Sequence, residues 1–292
     1  MKSFGKRLCH ALKGIFIGRD GKVKKVRILI LSIIFLTFVW GFIENGIITV
    51  SEYEILSSKL PESFSGYKIA QISDLHNKEF GKDNRRLLKK LEGIAPDIIV
   101  ITGDIVDASK TDIPSALEFC KGVVKIAPTY YVSGNHEGTL GNYMFLESSM
   151  ESLGVKVLKN EAVELERNGE RITLAGIKDS VFGRLSADSI SRIIDGGAYS
   201  ILLSHRPERF SDYVTSGADL VFTGHAHGGQ FRIPLVGGVI APNQGLFPEY
   251  DSGLYESNGT NMLVSRGLGN SIIPIRINNM PEIVVAELRK GQ

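Results

Sequence analysis

The sequence predicts an α/β fold over residues 51–292, preceded by one membrane-spanning helix. Three observations carry this reading. Short apolar runs alternate with amphipathic stretches from residue 67 onward, an uncharged run of sixteen residues follows a basic tail, and polar residues able to hold metal recur where strand-like runs end.

The 292 residues are 43% hydrophobic and 23% charged, with 10 prolines, which describes a globular chain able to bury a large core. That composition excludes disordered, collagen-like and disulfide-stapled classes. The net charge of +2 hides an asymmetry: residues 1–27 hold nine Lys or Arg against Asp20 alone, a net of +8, which leaves −6 for the remainder. The positive charge is therefore confined to a tail, and a mildly acidic body gives no reason to expect nucleic-acid binding.

Residues 28–43, ILILSIIFLTFVWGFI, carry no charge. As a helix they span about 24 Å, against about 30 Å of hydrocarbon, but Lys25 and Arg27 can snorkel and the run extends weakly to Val50. A buried core helix would not need apolar residues on every side and a basic block at one end. A cleaved signal peptide would end in small residues, whereas this run ends in Gly41, Phe42, Ile43 and Glu44. The reading is an uncleaved single-pass anchor over residues 28–50, with residues 1–27 cytoplasmic and residues 51–292 a catalytic domain outside the cytoplasm. Cys9 and Cys120 fall on opposite sides of that membrane, so no intrachain disulfide is expected. The oligomeric state stays open.

Beyond the anchor, strands are expected at 67–73, 97–103, 129–134, 171–177, 199–204, 219–224, 261–265 and 282–288. Helices are expected at 83–95, 112–126, 141–153, 187–195 and 207–216. Of six histidines, His10 lies in the tail and the other five follow strand-like runs. YKIAQIS exits into Asp74 and His76, DIIVITG into Asp104, TYYVSG into Asn135 and His136, YSILLS into His205, and DLVFTG into His225 and His227. Loops at the carboxyl ends of strands in an open α/β sheet converge on one crevice, so these residues should form one polar cluster. Imidazole, carboxylate and amide donors without a thiolate suit Mn, Zn, Fe or Mg. So many groups exceed a four-ligand zinc site and fit two ions sharing a carboxylate, an arrangement suited to displacement at phosphorus.

DLH at 74–76, GDIVD at 103–107, GNHE at 134–137, the isolated His205 and GHAH at 224–227 resemble, in order and spacing, the five blocks of the calcineurin-like metallophosphoesterases. Further segments, LPESFSGYKIAQISDLH, GHAHGGQFRIP, SGLYE, LVSRGLGNS and PEIVVAEL, look like the bacterial membrane-anchored or exported branch related to YkuE and YaeI. The resemblance implies a four-layer α/β/β/α sandwich and a hydrolase of phosphate mono- or diesters or pyrophosphates, with two divalent ions, Mn favoured. It implies that Asp74, His76 and His227 hold one ion, that Asn135, His205 and His225 hold the other, and that Asp104 bridges them. His136 would be the catalytic histidine, stabilising phosphoryl charge or protonating the leaving oxygen while a bridging hydroxide attacks in line.

Some relatives of this group cleave the pyrophosphate of UDP-2,3-diacylglucosamine, which makes a lipid-precursor hydrolase the alternative. A non-catalytic scaffold should lack ligands, and none is missing; amide or lactam hydrolysis usually displays H-x-H-x-D-H, which is absent. Asp107 and Glu137 are expected to orient loops, with a plain helix N-cap the equal alternative for Asp107, Arg206 to be a surface arginine rather than a phosphate contact, and the Gly/Pro-rich segment after His227 to form hairpins covering the sheet edge.

Overall fold

The structure, a computed structural model, describes residues 25–194, 199–270 and 274–291. The basic tail up to residue 24, with Cys9 and His10, lies outside the described residues.

Helix α1 (Lys25–Glu44) leads into β1 (Thr49–Ser57), which pairs in parallel with β16 (Glu282–Lys290). The anchor expectation therefore ends too late. Thr49 and Val50 lie opposite Glu282 and Ile283, where alternating polar and apolar residues suit a sheet edge. All residues from 28 to 40 are exposed. The uncharged run is short of a hydrocarbon core, and among the described residues no helix is long and apolar enough to cross a membrane. The helix end is seated on the domain: Glu44 accepts hydrogen bonds from the Trp40 indole and the Asn278 amide, both at 2.7 Å. Gly41 lies so close to Arg276 that a Cβ there would meet its carbonyl oxygen at 2.7 Å.

The first sheet continues through β2 (Lys68–Ile72), β3 (Ile98–Thr102), β4 (Thr129–Val132) and β5 (Lys156–Val157) in the order β1-β16-β2-β3-β4-β5. Strands β2 to β5 run parallel. The second sheet contains β6 (Glu161–Arg167), β7 (Glu170–Gly176), β8 (Ser200–Leu203), β9 (Leu220–Thr223), β14 (Gly253–Ser257) and β15 (Thr260–Val264). Its order is β14-β15-β9-β8-β7-β6, with β7, β8, β9 and β15 parallel.

Side-chain alternation explains the layering. In the first sheet Ile69, Ile98, Val100, Val284 and Ala286 face Ile201, Leu203, Leu220, Phe222 and Leu263 of the second. Their neighbours Ala70, Ile72, Ile99, Ile101 and Val285 point the other way, under helices α2 (Arg85–Ile94), α3 (Ile113–Val123) and α5 (Tyr143–Ser152). Helix α4 (Asn135–Gly138) is a single turn after β4. On the far face of the second sheet, Leu202, Val221, Met262 and Val264 pack with Ile190 of α6 (Ala187–Ile194) and with Phe210 and Tyr213 of α7 (Phe210–Ser216). The result is helix, sheet, sheet, helix, each layer following from the two-residue period of strands buried on both faces. Gln71 crosses the seam, its amide donating to Thr102 Oγ1 and to the Thr223 carbonyl, both at 2.8 Å.

After β9 two small hairpins form, β10 (Arg232–Ile233) with β11 (Gly237–Gly238) and β12 (Ile240–Ala241) with β13 (Gly245–Leu246). They are hairpins as expected, and their tips are exposed. Leu235 is fully exposed, and Val236, Leu246 and Phe247 are each more than 60% exposed. Cys120 is buried in the core as a free thiol.

Candidate metal centre

The strands that end in Asp74, Asp104, Asn135, His205 and His225 are parallel within their sheets, and both sheets deliver those ends to one place. Asp74, His76, Asp104, His225 and His227 adopt positive φ, between 47° and 63°. Tight reversals immediately after a strand require this, and Asp, Asn and His tolerate it better than other residues that carry a Cβ. Gly134 and Gly224 make room: a Cβ at Gly134 would lie 2.2 Å from Asp104 Oδ1, and one at Gly224 2.3 Å from Asp74 Oδ2.

Two clusters result. In one, His76 Nε2 lies 3.2 Å from His227 Nε2, and Asp74 Oδ1 is 3.9 and 3.5 Å from those atoms. In the other, His205 Nε2 is 3.1 Å from Asn135 Oδ1 and 3.3 Å from Asp104 Oδ2, with the His225 ring centroid 4.8 Å from that of His205. Asp104 Oδ2 is also 3.7 Å from His76 Nε2, so it stands between the clusters. Asp74, His76 and His227 can together hold a cation, as can Asp104, His205 and His225; a third group, His76, Asp107 and His136, overlaps the first.

The electrostatics ask for cations. Burial pushes the Asp74 carboxyl up to about 6, against the pull of His205. Burial also drives His76 down to about 4 and His225 to about 3, and holds His227 well below its usual range, so these rings are neutral. Each neutral ring carries one proton, so the two Nε2 atoms 3.2 Å apart either share one N–H or both turn lone pairs toward the Asp74 carboxylate, the arrangement a bound cation would satisfy. The outward Nδ1 atoms of His76 and His227 are buried without hydrogen-bond partners. His205 differs. Its Nδ1 donates to the Thr102 carbonyl at 2.7 Å, while Nε2 faces only acceptors. Burial opposes its charge, but the Asp104 carboxylate raises its pKa to about 10, and in return His205 holds Asp104 well below the carboxylate range despite its burial. A proton thus stands where a divalent ion would satisfy the same acceptors, and the nitrogen and oxygen donors fit such an ion.

Around these groups the loops are fixed by Glu137, which is fully buried. Its Oε2 accepts the amides of Gly134 at 2.8 Å and Asp104 at 2.9 Å, and its Oε1 those of Ile105 at 2.8 Å and Val106 at 3.3 Å. Asp107, expected to share this role, accepts from the amide and hydroxyl of Ser109 and holds its own turn. His136 stands beside the first cluster, its ring centroid 4.5 Å from that of His76 and its Nε2 4.0 Å from Asp104 Oδ2. Its Nδ1 accepts the Ala108 amide at 3.0 Å, so in the neutral ring Nε2 carries the proton.

Two participants are missing from the residues expected above. Asp179 follows β7 as the ligands follow their strands, and the strand-exit rule applied once more finds it. Asn243 arrives on the turn between β12 and β13, where no periodicity announces it. Arg206 is not the surface residue expected: it is largely buried and paired with Asp179.

The calcineurin-like phosphoesterase profile matches residues 67–229. The uncharacterized metallophosphoesterase YkuE of Bacillus subtilis is 32% identical over 260 residues, covering 85% of this chain and 88% of its own. The phosphodiesterase YaeI of Escherichia coli is 30% identical over 251 residues, covering 81% and 88%. A transmembrane protein with metallophosphoesterase domain from Danio rerio is 28% identical over 258 residues, covering 83% of this chain and 57% of its own. The chain belongs to the calcineurin-like phosphoesterases, in the bacterial branch of YkuE and YaeI, and is a metal-dependent hydrolase.

Proposed function

We propose that the chain is a membrane-anchored phosphoesterase that uses two divalent ions, Mn favoured, to hydrolyse phosphate mono- or diesters or pyrophosphates of cell-envelope or lipid-linked substrates. The observation that carries the reading is the pair of donor clusters on either side of Asp104 Oδ2, one built on His76 and His227 and the other on His205 and Asn135. Asp74, His76 and His227 hold one ion, Asn135, His205 and His225 the other, and Asp104 touches both. When bound, such ions polarise phosphoryl oxygens and lower the pKa of water for attack at phosphorus. The chain's own contribution to proton transfer is His136, whose Nε2–H is held toward the site by the Ala108 amide on Nδ1. Glu137 keeps the Asp104 loop in register, and His76, His225 and His227, already neutral, need lose no proton to bind an ion, whereas His205 would give one up.

Anchoring is supported by the apolar surface that α1 shows on all sides between residues 28 and 40 and by the basic tail that precedes it. The cytoplasmic tail is followed by this helix and then by a catalytic domain that begins with β1, outside the cytoplasm. Lipid-linked substrates are favoured by the exposed Leu235, Val236, Leu246 and Phe247. The β10–β11 hairpin is rooted beside the helix end, through the Arg232 amide on the Ile277 carbonyl at 3.0 Å. The same exposed tips favour the alternative, a hydrolase of UDP-2,3-diacylglucosamine type, which requires a cytoplasmic domain.

The deciding experiment presents aryl phosphates, phosphodiesters, nucleotide sugars and lipid head-group esters to the purified full chain. Hydrolysis should stop on chelation and return with Mn; no metal-dependent turnover of any class overturns the reading. A C-terminal reporter active only in the cytoplasm would overturn the proposed orientation and select the alternative.

A further inference from the structure

His225 is one of the two histidines that follow β9, and its ring is fixed from outside the cluster. Its Nε2 lies 2.9 Å from Asn243 Oδ1, and the same oxygen lies 3.1 Å from Arg206 Nη1. Arginine can only donate, so the oxygen of Asn243 faces the guanidinium, and the atom that Asn243 also presents to His225 is an acceptor. His225 must therefore carry its proton on Nε2, which leaves Nδ1 as the nitrogen with a free electron pair. A ring bound to a metal through one nitrogen has one proton to place on the other, and Asn243 decides where.

Arg206 is held in turn. Its Nε and Nη2 donate to the two oxygens of Asp179 at 2.6 and 3.0 Å, and Nη1 also reaches Glu208 at 3.4 Å. Every guanidinium nitrogen thus has a protein partner, and the Asp179 side chain is fully buried. The geometry favours a strut over a clamp for substrate phosphate. Asp179 is itself pinned, its amide donating to Ser133 Oγ at 3.2 Å and its Oδ1 accepting from the Val181 amide at 2.9 Å. Asn243 sits in its turn at φ 60°, a conformation that asparagine tolerates.

We infer that Asp179, Arg206 and Asn243 form a positioning chain that sets the tautomer and ring direction of His225 for the ion it shares with His205 and Asn135. The inference rests on the ligand roles proposed above. A ring whose far nitrogen meets an oriented acceptor binds metal in one pose, and partners of this kind are worth about 10- to 100-fold in metal affinity. The chain joins the exits of β7, β8 and β9 to the β12–β13 hairpin, so a segment outside both sheets completes a ligand inside the cluster.

The test is calorimetric titration of the chelated, detergent-solubilised full chain with Mn. The wild type should show two sites. Asn243→Leu should weaken one of them about 10- to 100-fold and leave the other within about threefold. Asn243→Asp, whose carboxylate accepts the same proton, should restore the lost affinity, and Arg206→Lys should fall between. Equal weakening of both sites, or no change in either for Asn243→Leu and Arg206→Lys, overturns the inference. If Asn243→Leu does not fold, Arg206→Lys carries the test alone: selective loss supports the chain of residues and an unchanged pair of affinities overturns it. Phosphate-ester turnover is measured separately. Two intact Mn sites without turnover would sink the phosphoesterase proposal, and the affinity ratio would still decide for or against the positioning chain.

Discussion

Replacing Glu137 with glutamine should destabilise the folded chain by about 2–6 kcal/mol, because two buried donors left unpaired cost about 1–3 kcal/mol each. The carboxylate has no solvent exposure and accepts four backbone amides, two on each oxygen. Glutamine keeps one oxygen; whichever way the amide is turned, its NH2 meets two N–H groups that had an acceptor. One effect works against this expectation: burial, reinforced by the Asp104 charge, pushes Glu137 up to about 7. A carboxyl carried in its neutral form would resemble glutamine closely and the exchange would cost little. Four converging N–H donors favour the ionised form. Urea unfolding at pH 8 in chelator, followed by circular dichroism, measures the difference. A loss below about 1 kcal/mol, less than one unpaired donor costs, would show instead that the group is protonated in the fold.

Three further outcomes follow from the same geometry. His136→Ala should lower kcat by about 10²–10⁴, as loss of a proton-transferring group does, while Mn affinity measured by calorimetry stays close to wild type; a parallel collapse of affinity would make His136 a ligand instead. Chelation should lower Tm, because an ion that binds only the folded chain stabilises it by about 2.7 kcal/mol at a concentration 100 times its Kd; an unchanged Tm in differential scanning calorimetry would contradict occupancy of the cluster. In chelator, acid should destabilise the fold from about pH 6.5 down toward 4. His76 and His225, held down to about 4 and about 3 by burial, bind a proton in the unfolded chain first, so the stability they contribute above about pH 6.5 is lost as pH falls. His205 acts oppositely: raised to about 10 by Asp104 despite burial, it stabilises fully below about pH 6.5, and that contribution disappears as pH rises through 10. Asp74, raised to about 6 by burial, contributes in the opposite sense as pH falls from about 6 toward 4, so the profile is read in an Asp74→Asn background, where a flat course between about pH 4 and 6.5 would argue against buried neutral rings.

The central strands are legible in the sequence because they are buried on both faces and so read as unbroken apolar runs, such as IIVIT and LVFT. The edges are not. In β6, EAVELER alternates charge with small apolar residues, as an edge strand must to discourage pairing with another chain, and no apolar run marks it. In β1, TVSEYEILS follows the uncharged run so closely that its first residues merge with it. The ligands are legible because the strand ends that deliver them share one direction, a rule of local sequence. Asn243 is not, since its place beside His225 depends on how two small hairpins fold back over the cluster. Arg206 resembles a surface residue because nothing in a linear sequence brings Asp179 to it.

Asp74, His76, Asp104 and Asn135 follow strands of the first sheet, while His205, His225 and His227 follow strands of the second. Both proposed ion positions therefore draw on both halves of the sandwich. A slip of one residue along a strand moves a side chain by about 3.3 Å, more than the gap between His76 Nε2 and His227 Nε2. Ions held there would act as rivets across a seam otherwise held by apolar packing and a few hydrogen bonds such as those of Gln71, resisting shear between the two sheets. Metal supply would then govern how firmly this domain keeps its halves together as well as how fast it turns over.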